Sequence, residues 1–356
     1  MARRSDRRGH RPPRSRGASV TMPAMMLRLM KMFGLAFVET TTERARRGPA
    51  RPSWGFGFEC VVRFLRRDFI QLLDRPYPEV RAELDARPYS QKAVRRVKRT
   101  VDTLNGVPAV WFEPPGAASR GVVLYLHGGS YLYGSTKTHA DLMARLALAS
   151  GARVVGIDYR LAPEHRYPAQ LEDALAAVDA LVERGHAPGE IALAGDSAGG
   201  NLALVTQLAL RDRGAQARCA ALISPWLDFT SSSASARAND ATDYGTREGL
   251  LRQARDFAGE TPLDDPRLSP LHARLAGLAS LFIQVGDAER LHDEGQELAR
   301  RAREAGVDVT LDVLRDMPHN GPVLADFHPE GARGADTLGS YLRASLSPGA
   351  RVGDAA

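Results

Sequence analysis

The sequence predicts an α/β fold: a mostly parallel central sheet with helices on both faces, preceded by a helical N-terminal region. Three observations predict it. Six short β-rich runs alternate with helical stretches from about residue 120 onward, an antiparallel hairpin opens that alternation, and two helical patterns come before the hairpin.

Taken in order, residues 1–20 are rich in Arg, Pro, Ser and Gly. Such a segment buries too little apolar surface to offset the entropy of ordering, so a disordered tail is expected over 1–22. Residues 24–38, rich in Met, Leu and Phe, have helical spacing. Arg28 and Lys31 make only a narrow polar face there, which favours a helix packed on the body over an interfacial membrane anchor. Between 59 and 73, Val62, Leu65, Phe69, Leu72 and Leu73 recur at helical spacing with Arg63, Arg66, Arg67 and Asp68 among them, which predicts a second amphipathic helix. Two extended runs, 96–103 and 107–112, flank Asn105-Gly106, the pair best suited to a tight hairpin turn. Strand alternation puts Val107, Ala109 and Trp111 on one face, and Pro108, which cannot donate to a ladder, suits an edge position. The β-rich runs that follow are 122–126, 154–157, 191–194, 220–223, 281–285 and 309–314, with helical patterns at 138–150, 169–184, 199–213 and 293–305.

Composition narrows the function. The formal charge of the 356-residue chain is +6. Seven arginines and one acid in residues 1–20 account for all of it, leaving the rest formally neutral. A nucleic-acid partner is therefore not expected. The two cysteines, Cys60 and Cys219, lie far apart among apolar neighbours and read as buried free thiols. Pro23, Arg28 and Lys31 interrupt the most apolar segment, 22–38, so it does not read as a membrane span, and no signal-peptide cleavage site follows it. A cytoplasmic protein is expected. No His or Cys pattern has metal-ligand spacing and no phosphate-binding glycine fingerprint opens a β-α-β unit, so neither a metal nor a cofactor is expected.

The sharpest motif is Gly195-Asp196-Ser197-Ala198-Gly199, directly after the run 191–194 and before a helical stretch. A serine on a sharp strand-to-helix turn is held with its hydroxyl exposed, and flanking glycines let the two elements approach closely. Ser197 is therefore the candidate nucleophile, and the helix N-terminus behind it favours developing negative charge. Acyl transfer also needs backbone amides aimed at an oxyanion. After the run 122–126 comes His127-Gly128-Gly129-Ser130, where Gly128 and Gly129 are candidate donors together with Ala198. Asp158, Arg160 and Glu164 read as an ion-pair cluster holding a loop, and Asp196 as structural, because adjacent side chains diverge in a sharp turn.

Over residues 95–345 the chain resembles the hormone-sensitive-lipase-like family of α/β hydrolases, bacterial carboxylesterases with an H-G-G motif. The resemblance rests on His127-Gly128-Gly129, on Asp158-Tyr159-Arg160-Leu161-Ala162-Pro163-Glu164, on Gly195-Asp196-Ser197-Ala198-Gly199-Gly200-Asn201 and on Ser224-Pro225-Trp226-Leu227-Asp228. It implies the α/β-hydrolase fold, a small-molecule ester substrate, and an oxyanion hole at the His-Gly-Gly turn with His127 shaping it. It also implies a cap built from a helical region at 23–94 and from an insertion at about 229–262, a catalytic domain at 95–345 and a flexible end at 346–356. The order of the triad in this fold is Ser, acid, His. Of the nine histidines, His319, in the loop after 309–314, is the best-placed base. His328 lies beyond that loop, His272 and His292 precede or overlap the acid, and His10 is in the tail. His139, His165 and His186 read as structural or solvent-facing. The family's acid usually stands four residues before an aspartate, which favours Glu289 ahead of Asp293, with Asp287 as the alternative. An amidase, N-acetyl hydrolase or lactonase on the same site, a non-catalytic small-ligand binder, and a homodimer are left open.

Overall fold

The computed structural model describes residues 22–117 and 121–347. The expected tail, up to residue 21, and the end from 348 lie outside the described residues. Met22 and Leu346, at the two expected boundaries, are both helical. The elements run α1 (Met22–Arg47), α2 (Phe56–Leu72), α3 (Tyr77–Ala86), β1 (Lys98–Leu104), β2 (Val107–Glu113), β3 (Val122–Leu126), α4 (Ala140–Ser150), β4 (Arg153–Ile157), α5 (Ala169–Glu183), β5 (Ile191–Asp196), α6 (Ala198–Asp212) and β6 (Cys219–Ile223). There follow α7 (Ser235–Ala238), α8 (Arg247–Ala258), β7 (Leu281–Gly286), α9 (His292–Glu304), β8 (Val309–Leu314) and α10 (Pro329–Leu346).

The strands form one sheet in the order β1-β2-β4-β3-β5-β6-β7-β8. The hairpin β1–β2 and the pair β2–β4 are antiparallel; every later neighbour is parallel. Strands β3, β5, β6 and β7 are buried at every position because helices cover both faces, which is why they read as continuous apolar runs rather than alternating ones. Side chains of α5, α6 and α9 pack on one face and those of α4 and α10 on the other. The hairpin alternates as expected: Val107, Ala109 and Trp111 join the first core and Phe112 the second. The expectation that Pro108 marks an edge does not hold, because β1 is the edge strand. Pro108 instead sits beyond the register of β2 with β4, which begins at Ala109, and offers only its carbonyl, to the Asp158 amide at 2.8 Å. Both cysteines are buried free thiols.

The order of the sheet reverses at β3. From β3 the chain moves outward to β4, then crosses back to β5 on the other side. Loops leaving the carboxyl ends of strands on either side of such a switch point diverge and leave a crevice between them. The His127 loop follows β3 and the Ser197 turn follows β5, so the topology alone sets the two motifs beside one another.

Helix α1 is longer than its sequence pattern predicts, and α3, a short helix with a proline in its first turn, had no periodic signal. Buried carboxylates tie the three N-terminal helices together. Glu83 of α3 pairs with Arg28 of α1 and lies 2.6 Å from Arg75 and 2.9 Å from Arg87, while Glu59 of α2 takes Arg44 and Arg63, each at 2.9 Å. A small apolar core of Trp54, Phe58, Val62, Ala288, Leu314 and Met317 anchors α2 against the loops after β7 and β8. Among the described residues no helix is long and apolar enough to cross a membrane.

Candidate active site

Ser197 stands between β5 and α6 at φ 55° and ψ −120°, a conformation that L-residues adopt rarely and that surrounding structure must hold. Its amide donates to Ile223 O at 2.9 Å, and its carbonyl accepts from Trp226 and Asn201 at 3.1 and 3.0 Å. The flanking glycines have a measurable reason. A Cβ on Gly195 would lie 2.3 Å from Gly199 O, and one on Gly199 only 1.9 Å from Leu126 O. Gly199→Ala is therefore expected to push α6 off β3 and to destabilise by the upper part of the roughly 1–3 kcal/mol that overpacking costs. Urea denaturation checks this; a wild-type midpoint would contradict the close approach.

The structure places His319 and Glu289 together. Glu289, fully buried in the loop after β7, lies with Oε2 2.8 Å from His319 Nδ1, and its Oε1 accepts from the Gly286 amide at 2.9 Å. Burial opposes the imidazolium, but the Glu289 carboxylate outweighs it and holds the His319 pKa above the ordinary histidine value. Asp287 goes elsewhere: its Oδ1 accepts from the Asp316 amide at 2.7 Å, and its carbonyl takes Arg51 and Asn239. It holds the β7 and β8 loops to each other and makes no hydrogen bond to His319.

The His-Gly-Gly loop departs from expectation at one amide. Gly128 N–H donates to Asp196 Oδ1 at 3.0 Å, so it is occupied within the protein and does not face the cavity. Gly129, at φ 116°, and Ser130, at φ 56°, do line the cavity, and among the described residues none accepts from either amide. Ala198, at the first position of α6, lies beyond the reach of the helical ladder. The open amides around Ser197 are thus those of Gly129, Ser130 and Ala198. A Cβ on Gly129 would meet Tyr133 O at 2.4 Å, so the turn requires glycine there.

Asp196 is the hub beneath the site. Besides Gly128 it accepts from Tyr125 Oη at 2.6 Å and Asn320 Nδ2 at 2.8 Å, and His139 Nε2 lies 3.4 Å away. Burial would raise its pKa, yet His139 and these donors bring it down to about 2. His139 is raised in turn by the aspartate against its own burial. One carboxylate therefore fixes the His127 loop, the His319 loop and α4's N-terminus relative to the serine turn. His127 is buried, stacked on Tyr159 at 4.2 Å, and burial lowers its pKa to about 4, so it stays neutral and shapes the loop.

Sequence reasoning missed several cavity residues. His139 lines the cavity as well as supporting Asp196. Asp243 accepts from the His319 amide at 3.2 Å, and Tyr244 donates its hydroxyl to the His319 carbonyl. Both come from the 229–262 segment, which had no signal beyond its length. The expected ion-pair cluster also differs: Asp158 accepts from Thr136, Arg160 pairs with Asp173 and Glu172, and Glu164 with Arg81, so each braces a different loop.

Ser197 and His319 face one cavity of about 260 Å³. Leu65, Phe69 and Leu72 of α2, Leu84 of α3, Tyr133 and Leu250 of α8 make its apolar walls. Among the described residues no group of His, Cys, Asp or Glu is arranged to hold a metal ion. The residues brought together supply a hydroxyl, an imidazole with a carboxylate behind it, and amides on the far side, a set suited to nucleophilic attack on a carbonyl.

Comparison with known proteins gives the family. A family model described as the α/β-hydrolase fold matches residues 123–322. An acetyl-hydrolase of Streptomyces hygroscopicus is 40% identical over 252 residues, 70% of this chain and 84% of that protein. A carboxylic ester hydrolase, LipN, of Mycobacterium tuberculosis is 37% identical over 257 residues, 68% of each chain. The crystal structure of an esterase from the bacterial hormone-sensitive lipase family superposes with a TM-score of 0.72 at 35% identity, covering 90% of this chain and 98% of that one. The strand order, the serine turn and these relatives lead to one conclusion: the chain belongs to the α/β-hydrolase fold family, among its hormone-sensitive-lipase-like ester hydrolases.

Proposed function

We propose that the protein is a serine carboxylesterase that hydrolyses short- to medium-chain acyl esters through an acyl-enzyme. The observation that carries this is the buried Glu289 carboxylate 2.8 Å from His319 Nδ1, with the imidazole facing the cavity that also holds Ser197. His319 Nε2 takes the Ser197 proton as Oγ bonds to the ester carbonyl carbon. The carbonyl electron pair moves onto oxygen, where the Gly129, Ser130 and Ala198 amides stabilise it. Collapse expels the alkoxide, which leaves as alcohol with the proton from His319. Water then gives its proton to His319, attacks the acyl-enzyme and releases the acid as Ser197 recovers its proton. In this reading residues 95–345 are the catalytic domain, and α1 to α3 with the 229–262 segment form the cap, since α2, α3 and α8 supply the apolar walls.

The cavity lies below the roughly 300–1,000 Å³ of drug-sized ligand pockets, which favours a short acyl group. Because one relative in sequence, the Streptomyces protein, is an acetyl-hydrolase, acetyl groups on nitrogen are worth testing beside those on oxygen. The test is hydrolysis of p-nitrophenyl esters from acetate to longer chains, with a matched acetanilide. Turnover highest at the short esters supports the reading. No turnover at any chain length would sink it and favour a binder.

The reaction needs a neutral imidazole. With the His319 pKa raised, kcat/KM is expected to fall as pH drops, with a midpoint above the ordinary value of about 6.5. In Glu289→Gln the largest contributions opposing burial are lost and only the more distant Asp243 and Asp196 still favour the imidazolium, so the residual activity's acid limb moves to lower pH. A limb that stays in place in the variant would remove Glu289 as the partner of the base.

A further inference from the structure

We infer that the outer face of α1 is a docking surface for an anionic lipid bilayer, on which the helix lies flat. The helix packs on α2 through a narrow strip, Met25, Met32, Ala36 and Thr40. At about 3.6 residues per turn the remaining arc is apolar over most of its width along residues 22–38, while the last turns, from Glu39 on, are polar. Leu27 is 70% exposed, Met30 68% and Val38 59%, with Phe33 and Phe37 about half exposed beside them. Within 22–38, Lys31 is the one charged side chain on that open arc, Arg28 being turned to Glu83. An amphipathic surface helix of a water-soluble body has the reverse pattern, with its apolar stripe inward and its polar face outward. Here apolar side chains point both ways.

Charge selects the occupant. Immediately before the helix, residues 3–16 carry Arg3, Arg4, Arg7, Arg8, Arg11, Arg14 and Arg16 against Asp6. A basic segment joined to an exposed apolar helix face matches an anionic membrane surface in both of its terms, electrostatic attraction and insertion of apolar side chains at the headgroup boundary. A parallel pairing of two copies through this face would set two identical cationic segments side by side, and like charges would oppose it. The helix cannot cross a bilayer, which leaves it lying in the interface.

The test is flotation of the full chain with vesicles of phosphatidylcholine and phosphatidylglycerol, and with vesicles of phosphatidylcholine alone. The chain is expected to float with the anionic vesicles, to do so less as salt rises, and to lose roughly tenfold in the Leu27→Glu/Met30→Glu double variant. Replacing the seven arginines by serine is expected to abolish the preference for anionic lipid. Hydrolysis of soluble p-nitrophenyl acetate by the double variant, unchanged from wild type, shows that the fold is intact and separates this result from the esterase reading. No flotation, or flotation that neither variant reduces, overturns the proposal. A dimer in solution that the double variant dissociates would overturn it too, by making a second copy the occupant.

Discussion

Ser197→Ala is expected to lower kcat for a p-nitrophenyl ester by roughly 10⁴–10⁶ while leaving KM within a small factor of wild type. The variant removes the proposed nucleophile and little else. Ser197 holds its turn through backbone groups, to Ile223, Trp226 and Asn201, and its hydroxyl makes no hydrogen bond among the described residues, so the alanine chain keeps the fold. The apolar walls from α2, α3 and α8 are untouched, which preserves substrate binding. What remains is the contribution of the Gly129, Ser130 and Ala198 amides acting on water's attack. Circular dichroism on the same preparation excludes unfolding as the cause. A kcat within tenfold of wild type would show that the reacting group is another residue.

The second large effect separates two carboxylates. Glu289→Gln is expected to lower kcat on the order of 10⁴, because the half-buried imidazole loses the charge that stabilises its protonated state during reaction. Asp287→Asn is expected to leave kcat near wild type and instead to lower thermal stability, since Asp287 holds the Asp316 amide and not the imidazole. The two assays run on one pair of variants. The reverse ranking, with Asp287→Asn the more damaging to kcat, would mean that the loop after β7 takes a different arrangement during turnover.

The strand-to-helix alternation was legible because parallel strands buried on both faces must be apolar throughout, and a run of that kind is visible without neighbours. Ser197 was legible for a related reason. The strained turn demands glycine at 195 and 199, and backbone clashes of 2.3 and 1.9 Å are local requirements that leave a mark in local sequence. His139 was not legible as a cavity residue. Its place depends on Asp196 reaching it from another strand's end, and nothing near residue 139 encodes that. The same holds for Asp243 and Tyr244, which support His319 from a segment some 75 residues earlier.

By itself, then, the sequence determined the layered architecture and the two chemically marked loops, at 127–130 and 195–199, which follow from periodicity and from steric demands between residues close in the chain, and it nominated Ser197 and His319 for the nucleophile and base of the proposed reaction. Only the tertiary structure shows that Glu289 and not Asp287 lies against His319, because two carboxylates two residues apart leave a loop in different directions and only closure against the β8 loop determines which meets the imidazole. It also replaced Gly128 by Ser130 among the open amides, since the Asp196 carboxylate, brought alongside by the β3–β5 pairing, takes the Gly128 proton. And it turned the apolar residues of α1 outward: a helical wheel counts apolar positions, whereas which of them is covered depends on where the neighbouring helix lies.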